Sequence, residues 1–98
     1  DPLAKPILQS PGNKVVITDT NTPTMDWEPV VNGVNYLVQI SKLVDFSTTY
    51  FKATVSNDTQ FETNPLPNGK YFWRVRALDA SGGKGPWSEI RMFKIAVP

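Results

Sequence analysis

Two segments of the chain alternate between apolar and polar residues, which is the period of a β-strand with one buried face. In residues 34–41 and 71–77, one face of each strand is apolar and is therefore the predicted core face. Arg74 and Arg76 occupy the opposite face of the second strand. The predicted core-facing residues of the two strands are Tyr36, Val38, Ile40, Tyr71, Trp73, Val75 and Ala77.

Shorter strands are predicted where brief apolar or β-branched runs stand between turn signals rich in Gly, Pro, Asn and Asp. These runs are residues 7–9, 15–18, 24–27, 48–54, 59–63 and 92–97. Residues 34–64 contain neither Gly nor Pro, but β-branched residues near position 50 disfavour a helix there. We expect at most one helical turn, at residues 45–47. Seven or eight short strands without a long helix predict an all-β, antiparallel sandwich of two sheets.

The same alternation, extended to the shorter strands and the turn before residue 71, predicts one shared core. Its predicted members are Trp27, Tyr36, Val38, Ile40, Phe61, Leu66, Tyr71, Trp73, Val75 and Phe93. We expect the Tyr71 hydroxyl to bond a backbone group in residues 64–68, because an unpaired polar group in the interior is costly.

The outer face offers a surface cluster of Arg74, Arg76 and Trp87. Alternation from Phe93 would turn Trp87 inward, but Pro86 cannot donate to a strand ladder and favours an irregular segment. We therefore predict that the Trp87 indole stacks on an arginine outside the core. Phe72 is either a second aromatic of a binding platform or the cross-strand partner of Leu37.

Composition excludes several classes of function. The 98 residues include no cysteine and no histidine, and the net charge is +1. This removes zinc fingers, thiol nucleophiles, Ser-His-Asp triads and disulfides. A near-neutral chain also lacks the strong positive charge typical of nucleic-acid binding, and no apolar run is long enough for membrane insertion. The sequence therefore predicts no catalytic residue, no cofactor and no metal ligand.

The order of several landmarks resembles that of a fibronectin type III domain, in particular the bacterial extracellular type. Trp27 resembles the tryptophan of the family's second strand, and Tyr36 its strand C tyrosine. Residues 66–71 (LPNGKY) are similar to its tyrosine-corner turn, and residues 85–88 (GPWS) to the approach to its last strand. Residues 74–88 also resemble part of the membrane-proximal domain of cytokine receptors, which has the same kind of fold. The resemblance implies an immunoglobulin-like sandwich of about seven antiparallel strands.

This resemblance implies a non-catalytic spacer or protein-interaction module of a larger secreted or cell-surface protein. The expected partners are neighbouring domains of the same chain, with another protein or a polysaccharide as further partners, and the module is expected to be monomeric. The alternative is a carbohydrate-binding module that uses exposed aromatics around Trp87 and Phe72, with Tyr50 or Phe51 beside them.

The remaining segments are interpreted as structural. Residues 79–85 lie where this family carries an integrin-recognition loop, but the chain has no Arg-Gly-Asp sequence, so a flexible hairpin is expected. Asn57 begins a glycosylation sequon that matters only in a host that glycosylates it. Residues 1–98 are expected to form one domain, with proline-containing linker margins at 1–6 and 96–98.

Overall fold

The computed structural model describes residues 3–98, and all of their regular structure is β-strand. Nine strands follow one another along this part of the chain, and loops without helix join them. The strands are β1 (Leu8–Ser10), β2 (Val15–Ile17), β3 (Thr24–Trp27), β4 (Asn35–Ser41), β5 (Phe51–Ser56), β6 (Gln60–Glu62), β7 (Gly69–Leu78), β8 (Lys84–Trp87) and β9 (Arg91–Ile95).

The strands form two sheets that pack face to face. The smaller sheet has the order β1-β3-β6, and the larger has the order β2-β9-β7-β4-β5, with β8 also paired to β7. In the larger sheet Val38 lies opposite Val75, and Ile40 lies opposite Trp73. This register places the apolar faces of β4 and β7 on the same side, where they meet the smaller sheet across the core.

The core contains the aromatic side chains of both sheets. Trp27 and Trp73 are almost fully buried, and the Trp27 ring lies 5.5 Å from that of Tyr36. Phe61 is only partly buried and stacks on Phe51 at 5.7 Å, so it borders the core rather than filling it. The predicted core residues that are buried are Trp27, Tyr36, Val38, Ile40, Leu66, Tyr71, Trp73, Val75 and Phe93.

The turn before β7 fixes Tyr71 across the end of the sandwich. The Tyr71 ring is fully buried, and its hydroxyl donates to the Pro67 carbonyl at 2.6 Å, within the stretch that the sequence predicts. Burial raises the pKa of Tyr71. Gly69 has φ of +152°, a conformation that residues with a Cβ rarely adopt. Leu66 is buried beneath this turn.

The all-β sandwich is confirmed, but its strand pairing differs from the expectation in two respects. The described chain has nine strands, because residues 84–87 form β8 where only a turn was expected. Strand β2 runs parallel to β9, with Val15 opposite Phe93. The parallel pairing of β2 with β9 joins distant segments, which no local periodicity encodes. Strand β8 instead forms a hairpin with the preceding strand, with Leu78 opposite Lys84.

Two local expectations differ from the structure. Residues 45–47 form no helical turn, which is within the expectation of at most one, and Phe46 has a positive φ of 55°; the strand that follows begins at Phe51 rather than at residue 48. Phe72 does not pair with Leu37, because the register places Phe72 opposite Ser41 and Met92. Leu37 instead lies opposite Arg76.

Some residues of the expected linker margins pack on or bond to the sandwich. Leu3 belongs to the core cluster with 9% exposure, and Pro6 is also buried. At the other end, the backbone of Val97 bonds the Asn68 side chain twice, at 2.9 and 2.8 Å. Residues 1 and 2 lie outside the described residues, so the expectation of a linker there is not addressed.

Candidate functional site

The outer face of the larger sheet carries a stack of alternating aromatic and guanidinium groups. The Arg74 guanidinium carbon lies 4.2 Å from the centre of the Phe46 ring and 4.1 Å from that of Trp87. The Arg76 guanidinium carbon lies 4.5 Å from the centre of the same indole. We call these four residues the outer ladder. Cation–π contacts at partly exposed positions each contribute about 0.5–1 kcal/mol, so the ladder rigidifies this face.

Trp87 faces outward because the chain is irregular between β8 and β9. Trp87 lies opposite Arg76 and Lys84 lies opposite Leu78, and the pairing of β8 with β7 shifts register between these two pairs. Ser88 then continues the backbone pairing with β7 after β8 has ended: its N–H donates to the Val75 carbonyl at 2.8 Å. The Val75 N–H in turn donates to the Ser88 hydroxyl at 3.0 Å. The buried Ser88 side chain thus takes the place of a missing strand partner.

Hydrogen bonds hold both arginines of the ladder in place. The Arg74 Nε and Nη2 donate to Oε1 of Gln39, at 3.0 and 2.8 Å. The Arg76 Nε donates to the Gly85 carbonyl at 2.9 Å. Burial, and to a lesser extent the charge of Arg76, lower the pKa of Arg74. A guanidinium remains charged at neutral pH even so.

Phe46 is the ladder residue that the sequence analysis missed. It follows β4 in an irregular loop, where neither strand nor helix periodicity indicates its direction. Its N–H donates to the Leu43 carbonyl at 3.1 Å, and the positive φ turns the ring back over the sheet. The Phe46 side chain is only 9% exposed. The one sequence signal for this burial is the presence of a large aromatic residue in a loop.

The aromatics of the alternative binding platform do not lie together. Phe72 is four residues from Arg76 along β7, or about 13 Å, with Arg74 between them. Tyr50 packs on the Tyr71 ring at 5.6 Å, and Phe51 stacks on Phe61 between the sheets. Of the predicted platform, only Trp87 lies in the ladder, and its indole already contacts two guanidinium groups.

A shallow groove of about 440 Å³ lies beside Trp87 on the same face. Its lining contains no acidic residue and consists of Leu37, Gln39, Lys52, Ala53, Thr54, Arg76, Lys84 and Trp87. The chemistry available here is binding through charge, hydrogen bonds and apolar contact. Within residues 3–98, no three acidic side chains converge to hold a metal ion, and no helix is long and apolar enough to cross a bilayer.

The loop after β7 is a hairpin turn in which hydrogen bonds converge on Asp79. Asp79 Oδ1 accepts hydrogen bonds from the N–H groups of Ser81 and Gly83, at 3.0 and 2.7 Å, and from the Ser81 hydroxyl at 2.8 Å. These bonds lower the pKa of Asp79, and the bond from the Ser81 side chain has the largest effect. A Cβ on Gly83 would lie 2.6 Å from this carboxylate. Asn57 of the sequon lies in an exposed turn with φ of 54°.

The double-mutant cycle of Arg76→Ala and Trp87→Ala measures whether the ladder is energetically coupled. We expect a coupling free energy of about 0.5–1 kcal/mol, because the guanidinium and indole lose their contact in either single variant. The measurement is urea unfolding of the four proteins. The cycle of Arg91→Ala with Trp87→Ala is the control. Equal, near-zero coupling in both cycles would contradict the ladder.

The fold is shared with solved structures, although neither a protein-family model nor a curated protein matches the sequence. An Fn3-like protein from Clostridium thermocellum superposes with a TM-score of 0.66 and 22% identity, covering 97% of this chain and 96% of that one. The α-L-rhamnosidase of Dictyoglumus thermophilum matches with a TM-score of 0.70 and 18% identity. The β-1,2-glucanase of Parabacteroides distasonis matches with a TM-score of 0.71 and 18% identity.

The extent of these matches defines what they show. The rhamnosidase match covers 96% of this chain but only 12% of the enzyme, and the glucanase match covers 98% of this chain and 13% of the enzyme. The chain therefore spans about an eighth of the length of these two enzymes. At these identities the similarity shows the fold, which is that of a fibronectin type III domain.

Proposed function

We propose that this fibronectin type III-fold chain is a non-catalytic spacer module of a larger extracellular or cell-surface protein. In this role it holds its neighbouring domains at a fixed separation and acts as a monomer. The observation that carries the proposal is the position of the two ends of the described chain. They lie at opposite poles of an elongated sandwich whose longest dimension is 46 Å.

The two poles are defined by contacts at either end of β7. Leu3 packs against Gly85, which lies beside the Ala77 carbonyl near the end of β7. Val97 is bonded to Asn68, which immediately precedes the first residue of β7. A ten-residue strand separates these contacts, or roughly 33 Å. Because both ends are fixed to the sandwich, a force or an orientation applied at one pole is transmitted to the other.

The comparisons support this role. The same fold forms a small part of two enzymes that are named as a rhamnosidase and a glucanase, which is how a spacer within a longer chain is expected to occur. The rival role as a neutral-sugar platform is less well supported, because the Trp87 indole contacts Arg74 and Arg76, and the Arg74 guanidinium stands between it and the Phe46 ring.

Distance measurements between spin labels test the spacer. The chain has no native cysteine, so Ala4→Cys with Pro98→Cys gives one specific label pair. We expect a single narrow distance distribution centred at about 30–45 Å. The pair Ala4→Cys with Ser81→Cys, both near one pole, is the matched control and should give a clearly shorter distance. A broad distribution for the first pair, or one no longer than the control, would refute a rigid spacer.

A further inference from the structure

Charge is divided between the two sheets. The six strands of the larger sheet contain no Asp or Glu, and the three strands of the smaller sheet contain no Lys or Arg but include Asp26 and Glu62. Within the described residues, the only ion pair joins Arg91 to Glu89. Seven of the ten basic residues of the chain lie in the larger sheet: Lys52, Lys70, Arg74, Arg76, Lys84, Arg91 and Lys94. Six of these seven have the outward parity of their strands, whereas Arg91 lies opposite Trp73 and bonds the Gln9 carbonyl of the smaller sheet. A net charge near neutral therefore conceals one positively charged outer face made by the other six.

The groove beside Trp87 is the concave part of this face. Strand register places Thr54, Leu37, Arg76 and Trp87 in one row across β5, β4, β7 and β8. The apolar Leu37 and the half-buried Trp87 form part of the groove lining. Lys52 stands in the neighbouring row, so its Cα is roughly 10 Å or more from that of Arg76, two strands away.

The cations around the groove are spaced apart rather than convergent. Lys52 and Lys84 are exposed at two borders, and the Arg76 guanidinium lies between them with its Nε held by Gly85. Arg76 lines the groove, and a guanidinium can donate a forked pair of hydrogen bonds to a carboxylate. Cations that stand apart, such as Lys52, Arg76 and Lys84, suit a polymer in which each repeating unit carries one negative charge.

We propose that this groove binds an anionic polysaccharide with one carboxylate per sugar ring, that is, a uronate polymer. A sugar ring matches the apolar and hydroxyl-bonding lining, with Gln39 and Thr54 as polar partners, and the volume is that of a small-ligand site. Lysine is depleted at the centre of protein–protein interfaces, which argues against an acidic protein surface as the occupant. This binding role goes beyond the spacer function and does not depend on it.

Equilibrium binding to polygalacturonate and alginate at low salt tests the proposal. The readouts are calorimetry and intrinsic fluorescence, in which Trp87 is the partly exposed indole and Trp27 and Trp73 are buried. We expect both polymers to bind, and fully methyl-esterified polygalacturonate to bind at least tenfold more weakly, because esterification removes the charge but keeps the sugar backbone.

Two charge-matched variants locate the site. Lys52→Gln with Lys84→Gln removes two exposed cations at the groove and should weaken binding roughly tenfold. Lys5→Gln with Lys14→Gln removes the same charge elsewhere and should leave binding unchanged. Circular dichroism and unchanged thermal unfolding establish that both variants remain folded.

Three results would overturn the proposal. The first is the absence of binding to either uronate polymer at low salt. The second is equal weakening by the two double variants, which would indicate attraction to net charge alone. The third is equal or tighter binding of poly-glutamate or a single-stranded oligonucleotide, which would assign the face to an acidic peptide or a nucleic acid.

Discussion

Trp73→Ala is expected to lower the free energy of unfolding by about 3–5 kcal/mol. The Trp73 side chain is completely buried on the core face of β7, so truncation leaves a large cavity between the sheets. A domain of this size has a total stability of about 5–15 kcal/mol, and the variant is therefore expected to lie close to unfolding. Urea denaturation followed by circular dichroism measures the loss.

Two variants serve as controls for the size of this effect. Trp73→Phe keeps most of the ring, and the indole Nε1 of Trp73 has no hydrogen-bond partner among the described residues, so the loss should be only about 1–2 kcal/mol. Trp87→Ala removes an equally large but half-buried side chain and should also cost less. Equal destabilisation by Trp73→Ala and Trp87→Ala would show that Trp73 does not fill the core.

Ser88→Ala is expected to destabilise the protein by about 1–3 kcal/mol, although it removes a single oxygen atom. The Ser88 hydroxyl accepts from the buried Val75 N–H at 3.0 Å and donates to the Glu89 carbonyl at 2.9 Å. Without it, the Val75 N–H is left unpaired inside the sandwich. Hydrogen exchange at the Val75 amide should accelerate by more than the change in global stability accounts for.

Ser81→Ala is the matched control, because Ser81 also loses a hydroxyl but lies in the exposed turn after β7. Its effect on unfolding should be much smaller, and exchange at Val75 should not change. If Ser88→Ala were as mild as Ser81→Ala and left Val75 protected, the bridging role of Ser88 would be wrong.

The candidate site could be predicted only in part. Parity along β7 places Arg74 and Arg76 opposite the core, and Pro86 favours the irregular segment that follows Trp87. Phe46 could not be foreseen, because a positive φ in a loop sets its direction. The groove was also beyond prediction, since Lys52, Arg76 and Lys84 come from three strands and come to line one groove only through the strand register.

The amino-acid sequence by itself determines the two faces of β4 and β7 and the all-β class of the fold. It does so because alternation is a local property: each apolar residue stands two positions from the next, and burial of one face follows. The Tyr71 turn is equally local, since Leu66 and Gly69 lie within five residues of the tyrosine. Only the tertiary structure decides that β2 runs parallel to β9, that Leu3 joins the core, and that the cations gather on one sheet. These features depend on pairing between residues far apart in the chain, which is set by the packing of the whole sandwich.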